Sequence, residues 1–345
     1  MLSPTPTSMR RLALAGIIAD TAIMSTGAAV RLSASGLGCP DWPRCSAADI
    51  VASKNAGQTL VNTWIEFGNR LLNFPLVIIA ALIFIAAWRF RPDGKRRRDL
   101  VWLAATQPLG VVAQAVIGGI VVLTKLNPAA VSVHFLVSAS IVAAAVALHD
   151  AVSWGRPPET PHFFFFWRDP SAQTPVGREA SPRAVRRDLQ LISAALVAVT
   201  CVMLAAGTVV TGTGPLAGHA DTPRYKLPLE GVTQLHADIG WLMAGLAVAL
   251  VLGLRLSGAP PRAVRAGWIM LAALGSQGVI GYNIYRGGTS GGPYSKINSV
   301  LDASTLYTDT TVVDGQTYYY VTTAVNSSNE ESGYSNQTQA VIPPP

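Results

Sequence analysis

Long apolar runs alternate with short polar segments along the first 282 residues of the chain. Each run is about 20 residues long, and a helix of that length spans the roughly 30 Å hydrocarbon core of a bilayer. The first run is too long for a signal-peptide core and lacks a cleavage pattern, so we interpret it as a span. The pattern predicts seven transmembrane helices, near residues 12–33, 64–88, 100–123, 129–149, 189–211, 232–254 and 264–282.

The sequence changes character at about residue 283. Residues 283–345 are rich in Gly, Ser, Thr and Tyr and contain no long apolar run. Strand-like stretches, separated by Gly-Gly and Asp-Gly turns, occur at Tyr282–Tyr285, Leu306–Thr308 and Thr317–Val325. We therefore expect an all-α polytopic membrane protein with a small β-rich C-terminal fragment.

Composition supports this interpretation and excludes three other classes. Half of the residues are apolar and only 13% are charged, which argues against a soluble globule, a disordered chain and a disulfide-rich miniprotein. The net charge of +7 would suit a nucleic-acid partner, but the basic residues are unevenly placed. Seventeen of the 26 Lys and Arg residues precede span 1 or follow spans 2, 4 and 6, whereas the other three loops hold five. We predict a cytoplasmic N-terminus, basic loops that face membrane lipid rather than nucleic acid, and a C-terminal tail outside.

The membrane part contains an internal repeat. Gln114–Gly118 resembles Gln277–Gly281, and Gly27–Val30 resembles Gly207–Val210, which indicates two four-helix halves. The second half lacks its fourth helix, because the position that corresponds to His134 is Ile297, in the polar tail. The predicted domains are a half-bundle over 1–150, a cytoplasmic loop over 151–188, a three-helix half-bundle over 189–282 and the β-rich fragment over 283–345.

Ionisable residues at membrane depth are costly and mark functional or paired groups. Glu66 and Arg70 lie four residues apart on one helix face, either as an ion pair that snorkels to the outer surface or with Glu66 as a buried acid near a reaction centre. Asn69, His134 and His236 lie at similar depth on three predicted helices. The two histidines are either heme ligands or partners in helix–helix hydrogen bonds.

The remaining polar candidates are less informative. Cys39 and Cys45, six residues apart in an outer loop, allow a disulfide or, with no second pair following, a less favoured metal site. Cys201 is interpreted as a packing residue. His149, His162 and His219 are interpreted as solvated.

Residues 1–282 resemble the heme A synthase family, most closely its actinobacterial members. The resemblance is carried, in family order, by Gly27–Cys45, Glu66–Leu72, Gln114–Gly119, Gly207–Pro215 and Gln234–His236. It implies a multi-pass enzyme of the bacterial cell membrane that oxidises the C8 methyl group of heme O to the formyl group of heme A, with O2 as oxidant. Heme O synthase and cytochrome oxidase assembly are the partners that the family implies.

The resemblance also assigns roles to residues of this chain. His134 and His236 would bind the iron of substrate heme and heme b, Glu66 would be the catalytic acid, and Cys39 and Cys45 would form the outer-loop pair. Asn69 would be a cofactor-binding residue where many members have His. The family's last helix is absent, which would expose one wall of the second half to lipid. A homo-oligomer is one arrangement that would cover this wall.

The tail resembles the later strands of a fibronectin type III domain, with Tyr318 at the place of its tyrosine corner. We interpret the junction near residue 282 as a fusion of two unrelated sequences, biological or artefactual. The alternative is a genuine domain with an adhesive role.

Three functions follow from these observations. The first is a heme A synthase, impaired by the missing helix. The second is a heme-binding or electron-transfer membrane protein without oxygenase activity. The third is a seven-span protein whose tail binds an extracellular partner.

Overall fold

The computed structural model describes residues 4–46, 59–153, 186–214, 218, 222–277, 281–302, 307–325 and 331–345. Eight α-helices and four β-strands occur in these residues. The helices are α1 (Pro6–Leu32), α2 (Leu60–Leu71), α3 (Asn73–Arg89), α4 (Arg98–Leu123), α5 (Pro128–Ser153), α6 (Arg187–Thr213), α7 (Leu229–Leu256) and α8 (Pro261–Gln277). The strands are β1 (Gly281–Gly287), β2 (Ser295–Lys296), β3 (Thr317–Val325) and β4 (Thr338–Val341).

The protein is a polytopic membrane protein, as the sequence predicts. Six helical segments of the described chain are long and apolar enough to cross a bilayer, and α2 with α3 forms one of them, Leu60–Arg89. Large apolar side chains on these segments face outward, among them Trp102 and Trp241, which are 75% and 78% exposed. Such exposure is expected where lipid rather than water surrounds the helices.

The seventh predicted span, 264–282, differs from the structure. The corresponding helix α8 has 17 residues, and it is not among the six candidate spans. Residues 281 and 282 already belong to β1. Residues 278–280, between α8 and β1, lie outside the described part, so only the last two residues of the predicted span are assigned differently, to a strand.

Local sequence explains where two helices begin and break. Thr5 caps α1, since its hydroxyl accepts a hydrogen bond from the Ser8 backbone N–H, and Pro6 occupies the first turn. Between α2 and α3, Pro75 has no N–H to donate to the carbonyl of Leu71, so the helical ladder is interrupted there. The Asn73 side chain donates to the Arg70 carbonyl at 3.0 Å and satisfies part of the break.

The helices divide into two compact units. The first holds α1–α5, α6 from Cys201 onward and α7 up to His236, and the second holds the rest of α6 and α7, α8 and the strands. One apolar cluster joins α1, α3, α4 and α5 of the first unit: Met9, Ala13, Ile83, Ala86, Ala87, Phe90, Leu100, Ala104, Leu148, Ala151 and Val152. The second unit has its own cluster: Leu189, Leu196, Ala247, Leu250, Leu254 and Ala259.

The C-terminal fragment forms an antiparallel sheet in the order β2-β1-β3-β4. Strand β3 has the predicted limits, and β1 extends the predicted Tyr282–Tyr285 at both ends. The expected strand at Leu306–Thr308 is wrong for residues 307 and 308, which are irregular, and residue 306 lies outside the described part. Tyr318 Oη accepts a hydrogen bond from the Val313 N–H at 3.2 Å, the type of contact that a tyrosine corner makes.

Two carboxylates of the sheet are held by hydrogen bonds. Burial raises the pKa of Asp309, but bonds from Thr311, Tyr320 and Arg286 outweigh this effect and lower that pKa to about 2. Hydrogen bonds from Thr323, Tyr285 and Asn283 lower the pKa of Glu331 to about 2.

We predict that acid loosens this sheet. Because both folded-state pKa values lie below the unfolded value of about 4, their stabilising effect is present above pH 4 and is lost as the pH falls towards 2. Hydrogen exchange of peptides from 281–345, corrected for the intrinsic rate, should show protection that declines over this window. Asp309→Asn should reduce protection already at pH 6, and equal protection at pH 6 and pH 2 in the unmodified protein would contradict the prediction.

Candidate functional site

The loop after α1 is closed by a disulfide between Cys39 and Cys45. This confirms the predicted disulfide and sets the metal-site alternative aside, since a bonded thiol pair does not ligate a metal. Both cysteines are buried. The disulfide loop, residues 39–45, is therefore a compact element rather than a free connection.

Arg70 and Glu66 of α2 bind the disulfide loop through hydrogen bonds. The Arg70 guanidinium donates to the carbonyls of Cys39 at 2.7 Å, Asp41 at 2.9 Å and Arg44 at 3.1 Å. It also donates to Glu66 Oε1 at 2.6 Å, while Glu66 Oε2 accepts from the Cys39 N–H at 2.8 Å. The ion pair predicted from the spacing is present, but Glu66 is buried and both side chains bind the loop rather than snorkel to the surface.

Two glycines let the loop region approach the helices closely. A methyl group on Gly38 would lie 2.6 Å from the Asn62 carbonyl oxygen, and one on Gly119 would lie 2.8 Å from the Trp42 ring. Both distances are shorter than side chains tolerate, so the loop region packs directly on α2 and the Trp42 indole packs directly on α4. Sequence reasoning missed these contacts, although Gly38 and Gly119 both lie in the segments that carry the family resemblance.

The two candidate heme ligands lie on α5 and α7, and each faces a glycine of the preceding helix. His134 lies beside Gly118 of α4, and His236 lies beside Gly207 of α6. Both side chains are partly buried. Nδ1 of each ring is enclosed and has no hydrogen-bond partner in the described chain. Neither Nδ1 therefore makes a helix–helix hydrogen bond within the described residues.

These imidazoles fit heme. Iron binds an imidazole nitrogen, and helix bundles hold heme between facing helices. Both rings lie between helices, and Nδ1 of each is not committed to another hydrogen bond in the described chain.

Polar side chains around His134 and Asn69 are already engaged with the bundle. Gln114 Nε2 donates to the His134 carbonyl at 3.0 Å and to Ser138 Oγ at 2.8 Å. Asn69 Oδ1 accepts from Thr26 Oγ1 at 2.7 Å. Gln114 belongs to the internal repeat, so the sequence contained a signal for it, whereas no signal pointed to Thr26.

Four further residues of interest have separate outcomes. Cys201 is an exposed free thiol, so its interpretation as a packing residue is wrong, since the side chain faces out of the bundle. His162 and His219 lie outside the described residues. Asp20 of α1 is buried, and its Oδ2 has no partner in the described chain.

Comparison with known proteins places most of the chain in one family. A family model described as cytochrome oxidase assembly protein matches residues 10–286. A heme A synthase of Lysinibacillus sphaericus is 34% identical over 116 residues, 33% of this chain and 35% of that protein. A second, from Geobacillus thermodenitrificans, is 30% identical over 114 residues, 32% of each.

Another likeness is of a different kind. An amylopullulanase of Thermoanaerobacter thermohydrosulfuricus is 46% identical over 61 residues, 18% of this chain and 4% of that enzyme. The chain thus spans about a third of the length of the heme A synthases it matches and a small fraction of the amylopullulanase.

We predict that Arg70 protects the disulfide loop. Arg70→Lys keeps the charge beside Glu66 but replaces the planar fork by one ammonium group, which cannot reach all three carbonyls at once. Reduction of the Cys39–Cys45 bond by dithiothreitol, followed by mass spectrometry of alkylated peptides, should be about tenfold faster, corresponding to roughly one lost charge-assisted bond. Arg44→Lys is the matched control, because the loop uses the Arg44 carbonyl and its side chain is exposed. Equal reduction rates for Arg70→Lys and Arg44→Lys would contradict the protective role of Arg70.

Proposed function

The chain belongs to the family of cytochrome oxidase assembly proteins, and we propose that it is a heme A synthase-like membrane oxidoreductase. Its substrate in this proposal is heme O, whose C8 methyl group is oxidised to the formyl group of heme A with O2 as oxidant. The likeness to two heme A synthases supports this assignment. Heme O synthase would supply the substrate, and cytochrome oxidase assembly would consume the product.

The observation that carries the proposal is the placement of two imidazoles. His134 lies on α5 beside Gly118 of α4, and His236 lies on α7 beside Gly207 of α6. Nδ1 of each ring has no hydrogen-bond partner in the described chain. We propose that they hold heme iron, one in the half-bundle over 1–150 and one in that over 189–282. Bound heme would supply oxygen activation and electron transfer.

Glu66 is the proposed catalytic acid. Its carboxylate lies among hydrogen-bond donors of the outer loop, with Oε1 bound to Arg70 and Oε2 to the Cys39 N–H. Arg70 would fix the orientation of the carboxylate and stabilise its charge. Uptake of a proton at Oε1 would displace the Arg70 bond, so the carboxyl group would bind and release a proton without leaving the loop.

Asn69 is proposed as a cofactor-binding rather than an iron-ligating residue. Its Oδ1 already accepts from Thr26, and an amide nitrogen has hydrogens to donate but no free lone pair for a metal. The Nδ2 group would donate a hydrogen bond within the first half-bundle.

A second candidate is a heme-binding or electron-transfer protein without oxygenase activity. It is favoured by the strand β1, which begins at Gly281, where the internal repeat predicts a continuing helix followed by another span. The second half-bundle would then hold heme through His236 without completing the family's ligand pair.

The C-terminal fragment is proposed to be a partial fibronectin type III-like unit fused to the membrane part. Its sheet and the hydrogen bond to Tyr318 Oη support this proposal. The 61-residue likeness to an amylopullulanase has about the length of the fragment. It says nothing further about what the fragment binds.

The main prediction concerns heme content. Protein co-expressed with a heme O synthase should yield heme A on extraction and chromatography. Glu66→Gln should abolish heme A while bound heme stays, because the proton-handling group is lost but both imidazoles remain. His134→Ala and His236→Ala should each remove about half of the bound heme, since each is expected to hold one. Glu230→Gln, on an exposed residue of α7, is the control.

The outcomes separate the two candidates. Heme O or heme b without heme A would favour the binding scaffold over the enzyme. A normal amount of heme A from the Glu66→Gln variant would show that Glu66 is not the catalytic acid. Protein free of heme in every preparation would contradict both candidate functions.

A second prediction concerns orientation. We propose a cytoplasmic N-terminus and a C-terminal fragment outside, which requires α8 to cross the membrane despite its 17 residues. Alkaline phosphatase fused after residue 345 should be active and green fluorescent protein there dark, with the reverse for fusions after residue 258. An active phosphatase after residue 258 and a fluorescent C-terminus would invert the proposed topology. Fluorescence at both sites would mean that only six helices cross.

A further inference from the structure

The two imidazoles meet their glycines through the same ring edge. A methyl group placed on Gly207 would lie 3.1 Å from Cε1 of His236 and 3.7 Å from its Nδ1. One placed on Gly118 would lie 3.4 Å from Cε1 of His134 and 3.9 Å from its Nδ1. In both halves, therefore, the Cε1 edge of the ring points at a helix backbone that carries no side chain.

Neither ring is oriented in the usual way. A histidine that binds a metal generally donates its second N–H to a carboxylate, a carbonyl or a water, and that bond fixes the ring. Here Nδ1 of His134 and Nδ1 of His236 are enclosed without a partner in the described chain. The space left by the absent side chain of the glycine is then what admits the ring in this orientation.

We propose that Gly118 and Gly207 are positioning residues, which set the plane of the His134 and His236 rings by steric contact in place of a hydrogen bond. The inference rests on the proposed function only in that these two rings are the ones offered to heme iron. The missing side chain at each glycine leaves a gap on the helix surface. The edge of the ring lies in this gap, and the neighbouring atoms of the helix hold the ring.

The distances give a graded expectation. At 3.1 Å, a methyl group on Gly207 is tighter than most side-chain contacts, so the His236 ring must tilt or shift by a few tenths of an ångström. At 3.4 Å, a methyl group on Gly118 is at the edge of ordinary van der Waals contact. Gly245 of α7 has no atom within 4 Å of such a group. Because Ala favours a helix more than Gly does, none of the three changes weakens its helix intrinsically.

The test uses the full-length protein in detergent, labelled with ¹³C at the Cε1 position of its five histidines. Signals are assigned with His134→Gln and His236→Gln, and no heme is needed. Gly207→Ala should move the His236 signal and leave that of His134, whereas Gly118→Ala should move the His134 signal by less. Gly245→Ala should move neither.

The heme-loaded protein supplies a separate readout. Gly207→Ala should shift the Soret maximum or the midpoint potential of the component that His236→Ala removes, and Gly245→Ala should leave both unchanged. If the Gly207→Ala signals and spectra match those of Gly245→Ala, the proposal is overturned. A moved His236 signal with an unchanged heme spectrum overturns the positioning role as well. If Gly207→Ala does not fold, the milder Gly118→Ala change is judged in the same way, by the His134 signal and the heme component that His134→Ala removes.

A failure of the proposed function looks different. Unmodified protein that binds no heme contradicts the enzyme and the scaffold, while the histidine signals of the heme-free protein still decide whether the glycines hold the rings.

Discussion

The disulfide loop depends on the hydrogen bonds of one side chain, Arg70. Its guanidinium joins Glu66 to three backbone carbonyls of that loop. A buried carboxylate without its cation is strongly destabilising, so Glu66 and the loop each need Arg70. The disulfide limits the loop to conformations in which all these bonds form together.

The loop that Arg70 binds is also linked, through α4, to the imidazole of His134. The loop presents the Trp42 ring to Gly119, and the adjacent residue Gly118 faces His134. Successive helix residues point about 100° apart, so the indole and the imidazole pack on neighbouring faces of one turn of α4. The position of the loop and the position of the His134 ring are thereby set by the same piece of backbone. Coupling between the disulfide loop and the His134 ring would therefore need no conformational change, only this stretch of α4 that both contact.

The sequence predicts the spans well because a bilayer imposes a length and an apolar composition that are visible in any single helix. It also indicates Glu66 and both histidines, since ionisable groups stand out in apolar runs, and it indicates Cys39 and Cys45 because two cysteines lie close together in one loop. It does not indicate what Arg70 binds, because the acceptors are backbone carbonyls 26 to 31 residues away. Strand β3 is predicted with its limits by its Tyr, Val and Thr residues, whereas β2 and β4 are too short to leave a pattern.

The internal repeat shows where sequence similarity and structure separate. Gly281 matches Gly118 in the repeat, yet in the structure it pairs with Val325 in the sheet. The position that matches His134, Ile297, donates its N–H to the Ile284 carbonyl at 2.8 Å. Seven residue pairs between β1 and β3 fix this register, and a one-residue slip would reverse every side chain. The sheet thus determines the structure from residue 281 onward, and the repeat does not.

The two halves of the repeat offer their imidazoles from different helices, His134 from the fourth helix of the first half and His236 from the second helix of the second half. In the described chain, the first half offers His134, with Asn69 Oδ1 already bound to Thr26, and the second half offers His236, with Ile297 in the sheet. Each half thus presents one imidazole on a glycine-backed helix. In the proposal, these two imidazoles would hold heme iron, and bound heme would supply oxygen activation or electron transfer in either candidate. What would distinguish the enzyme from the binding scaffold is then Glu66, the proposed acid, which Arg70 and the Cys39 N–H hold in place.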